Sequence, residues 1–175
     1  MEIVIETERL ILRKFTVEDA PFMLELLNTP SWLRFIGDRN VHSVEEAEQY
    51  LLNRYMKSYE THGFGFYEVI EKIAQKPIGM CGLIKRDTLE DVDIGFAFMP
   101  DSVGKGYGFE AAFATLKYAQ TVLKLEKIIA IVDPENRESI GLIRKIGLQF
   151  EKMITFYPEK KELMLFKRLY SENND

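Results

Sequence analysis

The chain is poor in the residues that build disulfide frameworks, metal centres and membrane spans. It holds one cysteine, Cys81, and two histidines in 175 residues. A single cysteine excludes an intrachain disulfide, which fits a reducing compartment, so a cytoplasmic location is expected. One thiol and two imidazoles do not make a ligand cluster, so no metal is expected either. Cys81 lies in the apolar run PIGMCGLI and reads as a buried strand thiol, because no histidine stands in a motif that would make it a nucleophile. No apolar run approaches the ~18 residues of a spanning helix. The first fifteen residues carry Glu2, Glu6, Glu8, Arg9, Arg13 and Lys14, unlike a signal peptide. A membrane partner is therefore not expected. There is no basic stripe: the formal net charge is −5, which argues against nucleic acid and suits cationic partners such as amines. Repeats, low-complexity tracts and linkers are missing too. The length fits one domain over residues 1–170 that needs no cross-link to hold its core, with SENND, residues 171–175, as a frayed tail.

What is present is a change of period along the chain. RLILRKF is an apolar strand. Thr16 with Asp19 forms a variant capping box, and Phe22, Met23, Leu26 and Leu27 continue a helical stripe that Asn28-Thr29-Pro30 ends. A second box, Ser43 with Glu46, opens a helix with Val44, Ala47, Leu51 and Tyr55 on one face. Between them SWLRFIGDRNVH reads as a loop with exposed aromatics. From GFYEVI onward the period is two. KPIGMCGLIKR is a strand, and DVDIGFAF alternates Val92, Ile94, Phe96 and Phe98 against Asp93, Gly95 and Ala97. After a glycine segment, Phe109, Ala112, Phe113, Leu116, Ala119 and Leu123 recur at helical spacing. KIIAIV is a buried strand, ENRESIGLIRKIG is a helix closed by Gly147, and LQFEKMITFY and ELMLFKRL are two last strands. The fold class is mixed α/β (α+β), with a sheet antiparallel at its ends and one βαβ crossover carrying the glycines.

Gly104, Gly106 and Gly108 alternate with Lys105 and Tyr107 at the mouth of that helix. The first amides of a helix have no internal partner, and its dipole favours an anion there. Glycines let such amides approach closely and accept the positive φ angles that aim them at one point. Lys105 adds a point charge or is simply a solvated loop lysine. The segment is not a P-loop, since no Gly-Lys-Ser/Thr closes it. Nor does its G-x-G-x-G spacing match the dinucleotide fingerprint, although Asp133 at the end of the next strand imitates the ribose-binding acid.

Three stretches then point one way. ETERLILRKF, DIGFAFMPDSVGKGYGFEA and NRESIGLIRKIGLQFE occur in that order, and the chain resembles the GNAT acetyltransferase superfamily, in particular its ribosomal-protein N-terminal acetyltransferase branch, over nearly its whole length. The resemblance implies a mostly antiparallel central sheet with a splayed parallel pair, acetyl-CoA as cosubstrate, an amine acceptor (a protein N-terminus or a small molecule), and a homodimer as a common assembly. It implies that amides of Val103, Gly104, Lys105, Gly106, Tyr107 and Gly108 hold the CoA pyrophosphate. The pantetheine arm would lie along Phe96, Ala97 and Phe98, with an amide near Phe98 as oxyanion donor. Asn136 and Ser139 would face the thioester, Ser139 as hydrogen-bond donor to sulfur. Two positions depart from the family pattern. Val103 replaces a more usual polar or aromatic residue, and Ile143 stands where many members carry a tyrosine acid. A thiol with pKa of ~8.5 is a tolerable leaving group without that acid. Asp93 is the candidate base, with Glu68 and Glu151 as competitors, whereas Glu110 in the first turn after the glycines is explained by the helix dipole. Trp32, Phe35 and His42 are the expected acceptor-side residues. A non-catalytic CoA-binding module is the alternative function.

Overall fold

A computed structural model describes residues 2–170 of the chain; the tail expected at 171–175 lies outside them. The segment RLILRKF forms strand β2 (Leu10–Lys14), and a strand not anticipated from the sequence, β1 (Ile3–Glu6), precedes it antiparallel. Only two apolar positions in β1 face inward, too few for a period-two signal. The Asp19 carboxylate accepts from the Thr16 amide at 2.8 Å, as a capping box requires, and a 3-10 turn leads into α1 (Ala20–Leu27). Asn28 ends α1 and donates its side-chain amide to the carbonyls of Leu24 and Val41.

The stretch read as a loop with exposed aromatics instead holds a six-residue helix, α2 (Pro30–Phe35), and Trp32 is only 3% exposed. Pro30 enters the first helical position, where its missing N–H costs nothing. So short a helix shows no periodicity, and docking of the indole decides it. The second capping box forms with both bonds, Glu46 N to Ser43 Oγ at 3.1 Å and Ser43 N to a Glu46 carboxylate oxygen at 3.2 Å, and opens α3 (Val44–Tyr50). Winding continues through Leu51–Met56 in wider π-type turns and then as α4 (Lys57–His62), which Gly63 stops at φ +77°. Ala47, Leu51 and Tyr55 are buried, but Val44, in the first turn at the end of the packed face, stays 36% exposed.

The remaining elements follow the sequence reading. They are β3 (Phe66–Glu71), β4 (Lys76–Ile84), β5 (Asp93–Phe98), α5 (Tyr107–Thr121), β6 (Lys127–Val132), α6 (Arg137–Lys145), β7 (Gln149–Phe156) and β8 (Lys161–Leu169). All eight strands join one sheet in the order β1-β2-β3-β4-β5-β6-β8-β7, antiparallel everywhere except at β5–β6. The sheet separates two cores. Helices α5 and α6 cover Leu12, Val69, Cys81, Leu83, Ile94 and Ile128 on one face, and α1 to α4 cover Phe15, Phe66 and Met80 on the other. Each such fully buried apolar side chain contributes about 1.5–3 kcal/mol. The alternation read in DVDIGFAF is realised: Ile94, Phe96 and Phe98 meet the first core and Ala97 meets the second. At Gly82 the strands approach so closely that a Cβ would fall 2.2 Å from the carbonyl oxygen of Gly65. Cys81 is fully buried against Thr115, and burial pushes its thiol up to about 12. None of the described helices is long and apolar enough to cross a membrane.

Candidate active site

The parallel pair is where the sheet opens. Strands β5 and β6 share a single register pair, Asp93 with Ile129, supported by the Ile129 amide donating to the Val92 carbonyl at 3.0 Å. Beyond it the two strands part. The Met99 amide turns towards β4, donating to Ile78 at 2.8 Å. Backbone groups alternate sides along a strand, so those of Phe96 and Phe98 face the gap. An unpaired strand edge of this kind accepts an extended ligand as an additional strand.

At the far end of β5 lies the glycine segment. Gly104 and Gly106 adopt φ +78° and +81°, and Gly106 is the residue from which α5 starts. None of the amides from Gly104 to Gly108 donates to another group among the described residues, and the first helical bond is Glu110 N to Gly106 O. A Cβ at Gly104 would meet nothing within 4 Å. This open row of unpartnered amides at a 15-residue helix fits a phosphate group. Two expected members differ in role. The Val103 amide is already engaged with the Pro100 carbonyl at 3.3 Å and its side chain is half exposed, so it belongs to the preceding 3-10 turn. Gly108 lies inside the helix, where a Cβ would come 3.1 Å from Leu142; it permits α5 to pack on α6. The Lys105 side chain is exposed, and its carbonyl accepts from Arg9. The Arg9 guanidinium stands 4.7 Å from the Tyr107 ring centre.

Glu110 holds this corner. Its carboxylate accepts from the Thr7 hydroxyl at 2.6 Å, the Arg9 amide at 2.9 Å and the Arg9 guanidinium at 2.7 Å. These partners hold Glu110 below the usual carboxylate range although desolvation opposes them. Its job is thus tertiary, tying α5 to the β1–β2 hairpin, beyond the helix-dipole effect that the sequence alone explains.

A cleft of about 580 Å³ opens at the splay, bounded by α2–α4 on one side and α6 on the other. Gly95 and Phe96 of β5, Ile131 and Val132 of β6, and Asn136, Ser139 and Ile143 of α6 line it. Asn136 caps α6 by accepting from the Ser139 amide at 3.2 Å, which fixes the side chain and leaves its amide NH₂ and one lone pair of Oδ1 to act on a ligand. Ile143 is 2% exposed and supplies an apolar wall where a tyrosine acid is missing.

Asp93 lies on the same wall, 1% exposed, with its Oδ2 2.6 Å from Arg86 Nε. Burial raises its carboxyl to about 6, against the pull of Arg86. The competing acids do not reach the cleft. Glu68 is buried beneath α1 with Arg13, which also holds Asp19 at 2.6 Å. Desolvation and then the Asp19 charge push Glu68 up to about 7. Glu151 sits on β7 paired with Lys167 at 2.6 Å. Asp133, at the end of β6, lines the cleft and pairs with Lys161 at 2.7 Å; the Lys161 ammonium also donates to the Phe35 carbonyl, which fixes α2 over the opening.

Of the three acceptor-side residues, Trp32 and Phe35 line the cleft, whereas His42 is exposed outside it, its amide bound to Glu46. His42 is held there by the capping box of α3, which fixes its backbone away from the opening. The wall is completed by residues that the sequence reading passed over. Tyr50, Asn53, Arg54, Lys57, Ser58 and Thr61 recur at spacings of three and four and turn one polar stripe of α3–α4 into the cleft. The i, i+3, i+4 spacing of these residues is the sequence signal that could mark the stripe. No three His, Cys, Asp or Glu among the described residues are grouped to hold a metal ion.

Comparison with known proteins agrees with this geometry. The family model described as "Acetyltransferase (GNAT) domain" matches residues 9–149. An uncharacterized N-acetyltransferase, p20, of Bacillus licheniformis is 29% identical over 94% of this chain and 93% of its own. The spermidine N(1)-acetyltransferase of Escherichia coli K12 is 27% identical over 80% and 73% respectively. A solved ribosomal L7/L12 α-N-protein acetyltransferase in complex with coenzyme A superposes with a TM-score of 0.82 over 96% of this chain and 98% of that one, at 15% identity. With the family model spanning most of the chain, including the splayed strands, the glycine segment and the Asn136 cap, the protein belongs to the GNAT acetyltransferase family and is an acetyl-CoA-dependent N-acetyltransferase.

Proposed function

We propose that residues 1–170 act as one unit that acetylates an α-amine, of a protein N-terminus or of a small molecule, with Asp93 as general base and the cytoplasm as its setting. The observation that carries this reading is the buried carboxylate at the point where β5 and β6 separate. A base with pKa about 6 is ionised at pH 7. It stands about 2 units below an α-ammonium of ~7.8 but more than 4 below a lysine ammonium of ~10.4. At pH 7 the former is already about 14% free amine and the latter about 0.04%. A modest base suits the first acceptor and not the second.

The residues present fit acetyl-CoA, which supplies an acyl group activated as a thioester. Amides of Gly104, Lys105, Gly106, Tyr107 and Gly108 would hold its pyrophosphate, and the edge of Phe96, Ala97 and Phe98 its extended arm. The first gap-facing amide beyond the Asp93–Ile129 pair, that of Phe96, stabilises negative charge developing on the acyl oxygen. Phe98 stands roughly 16 Å along β5 from Asp93 and flanks the extended arm instead. Asp93 receives the proton of the incoming amine, and Arg86 keeps the carboxylate oriented. Ser139 and the Asn136 amide offer hydrogen bonds where sulfur departs. Trp32 and Phe35 form the acceptor side, and Ile143 keeps it dry. The non-catalytic alternative is not favoured, since the fold, cleft and relatives all accord with acetyl transfer. A lone, buried Cys81 accords with the cytoplasm, and a homodimer remains the expected assembly.

The test is thiol release from acetyl-CoA with α-amine peptides and small amines across pH 5 to 9. In the wild type kcat/KM rises as pH passes about 6, where Asp93 ionises. Asp93→Asn should lose about 100-fold and remove the component of that limb centred near 6, leaving only the rise from the acceptor's own deprotonation near ~7.8. An unchanged profile in the variant removes Asp93 as base.

A further inference from the structure

Four buried side-chain atoms have no hydrogen-bond partner among the described residues. Two, Arg13 Nε and Glu68 Oε2, belong to residues that already face each other in an ion pair. The other two are both N–H donors, Trp32 Nε1 and Arg39 Nε, and both residues line the cleft. Trp32 is 97% buried, so its indole N–H has no bulk water to turn to. Buried donors are nearly always matched, and two orphans on residues of one cavity wall are met either by water or by a ligand that brings acceptors.

The charges of the wall agree. Its two sheltered acids are already engaged, Asp93 by Arg86 and Asp133 by Lys161, while Asp87 and Glu159 also line it but are exposed to solvent. Lys85 is satisfied by the carbonyls of Leu89 and Glu90. Arg39, Arg54 and Lys57 line the same cleft with no carboxylate within ion-pair distance among the described residues. Burial and then Tyr50 push the Tyr55 phenol well above its ordinary value, and the charges of Arg39 and Arg54 oppose them. A polycation would meet uncompensated positive charge here and no free sheltered acid.

We propose that the acceptor amine carries a carboxylate, which docks on the Arg39 guanidinium and the Trp32 indole N–H with Arg54 beside them. This deepens the α-amine reading and rests on it. It also separates the chain from its relative named for spermidine, whose substrate bears only amines. Two sources share the chemistry: a small amino-carboxylate, or a protein N-terminus with an acidic residue at its first or second position.

Thiol release with five probes tests it. Glutamic acid α-amide is set against glutamine α-amide, Ala-Glu-Ala-Ala amide against Ala-Gln-Ala-Ala amide, and spermidine stands alone. Within each pair the reacting amine is the same and only the side-chain carboxylate differs. The expected result is at least a 10-fold higher kcat/KM for the acidic member of one pair, and which pair shows it names the source. Arg39→Gln should reduce that ratio at least fivefold. Trp32→Phe, which keeps the ring and removes the N–H, should reduce it about threefold, so a folding failure of the arginine variant leaves a second reading. Raised salt should shrink the ratio as well. Equal kcat/KM within both pairs, spermidine as the best substrate, or an undiminished ratio in both variants overturns the anionic acceptor while leaving α-amine transfer intact. No thiol release with any probe overturns the α-amine reading itself.

Discussion

Gly104 and Gly82 show how differently two glycines matter. Gly104 needs its positive φ and has open space around its Cβ position, whereas Gly82 has ordinary φ and no space at all. Gly104→Ala should cost about 1 kcal/mol of stability and raise KM for acetyl-CoA more than it lowers kcat, as steady-state kinetics and urea denaturation will show. Gly82→Ala forces a Cβ into backbone and should cost about 3 kcal/mol, with the same denaturation as the check. The sequence marks the first glycine because its role is local: a left-handed residue before a helix is readable from spacing. It is silent about the second, whose neighbour Gly65 is brought close by strand pairing alone. Trp32 belongs with the second kind. Its burial and its unpartnered N–H depend on how α2, the helix that carries it, docks, and nothing in SWLRFIG carries that information.

At the scale of elements, both capping boxes and the Gly147 stop were legible, because a cap is a matter of three or four consecutive residues. Gly147 takes φ +95° and the Leu148 amide returns to the Ile143 carbonyl, closing α6 as expected. Strand β1 and helix α2 were not legible, being shorter than the window in which a period shows. The joint between α5 and the β1–β2 hairpin was likewise hidden, since Glu110 and its partners Thr7 and Arg9 are a hundred residues apart. Glu110→Gln should lose about 1–2 kcal/mol and loosen the glycine segment through Arg9, raising KM for acetyl-CoA. Because the folded pKa of Glu110 is lowered, its stabilisation is present above the ordinary carboxylate range and is lost as pH falls through the folded value. The stability difference between wild type and variant should therefore shrink towards low pH in denaturant titrations.

For the whole molecule, the sheet carries two buried acids whose folded pKa is raised, Asp93 to about 6 and Glu68 to about 7. The sign is the reverse of that at Glu110. A raised acid keeps its proton in the folded chain after the unfolded chain has lost it, so stability falls as pH climbs from about 4.5 to 7 and then levels. Glu68→Gln should remove about 2 kcal/mol of that fall, leaving Arg13 with Asp19, and the gain over wild type should appear only above pH 5 in thermal or urea unfolding. The sequence alone determined the order of the longer elements, the mixed sheet with its single crossover, the glycine turn at a helix start and the resemblance that named the cosubstrate. All of these are local periods or contiguous motifs. Only the tertiary structure decided that Asp93 and not Glu68 or Glu151 faces the cleft, that the polar stripe of α3–α4 is its wall, that His42 stands outside it, and that Trp32 and Arg39 leave two donors unmatched. Those outcomes rest on where strands β5 and β6 part and on which helix covers the gap, and both are set by contacts between residues far apart in the chain.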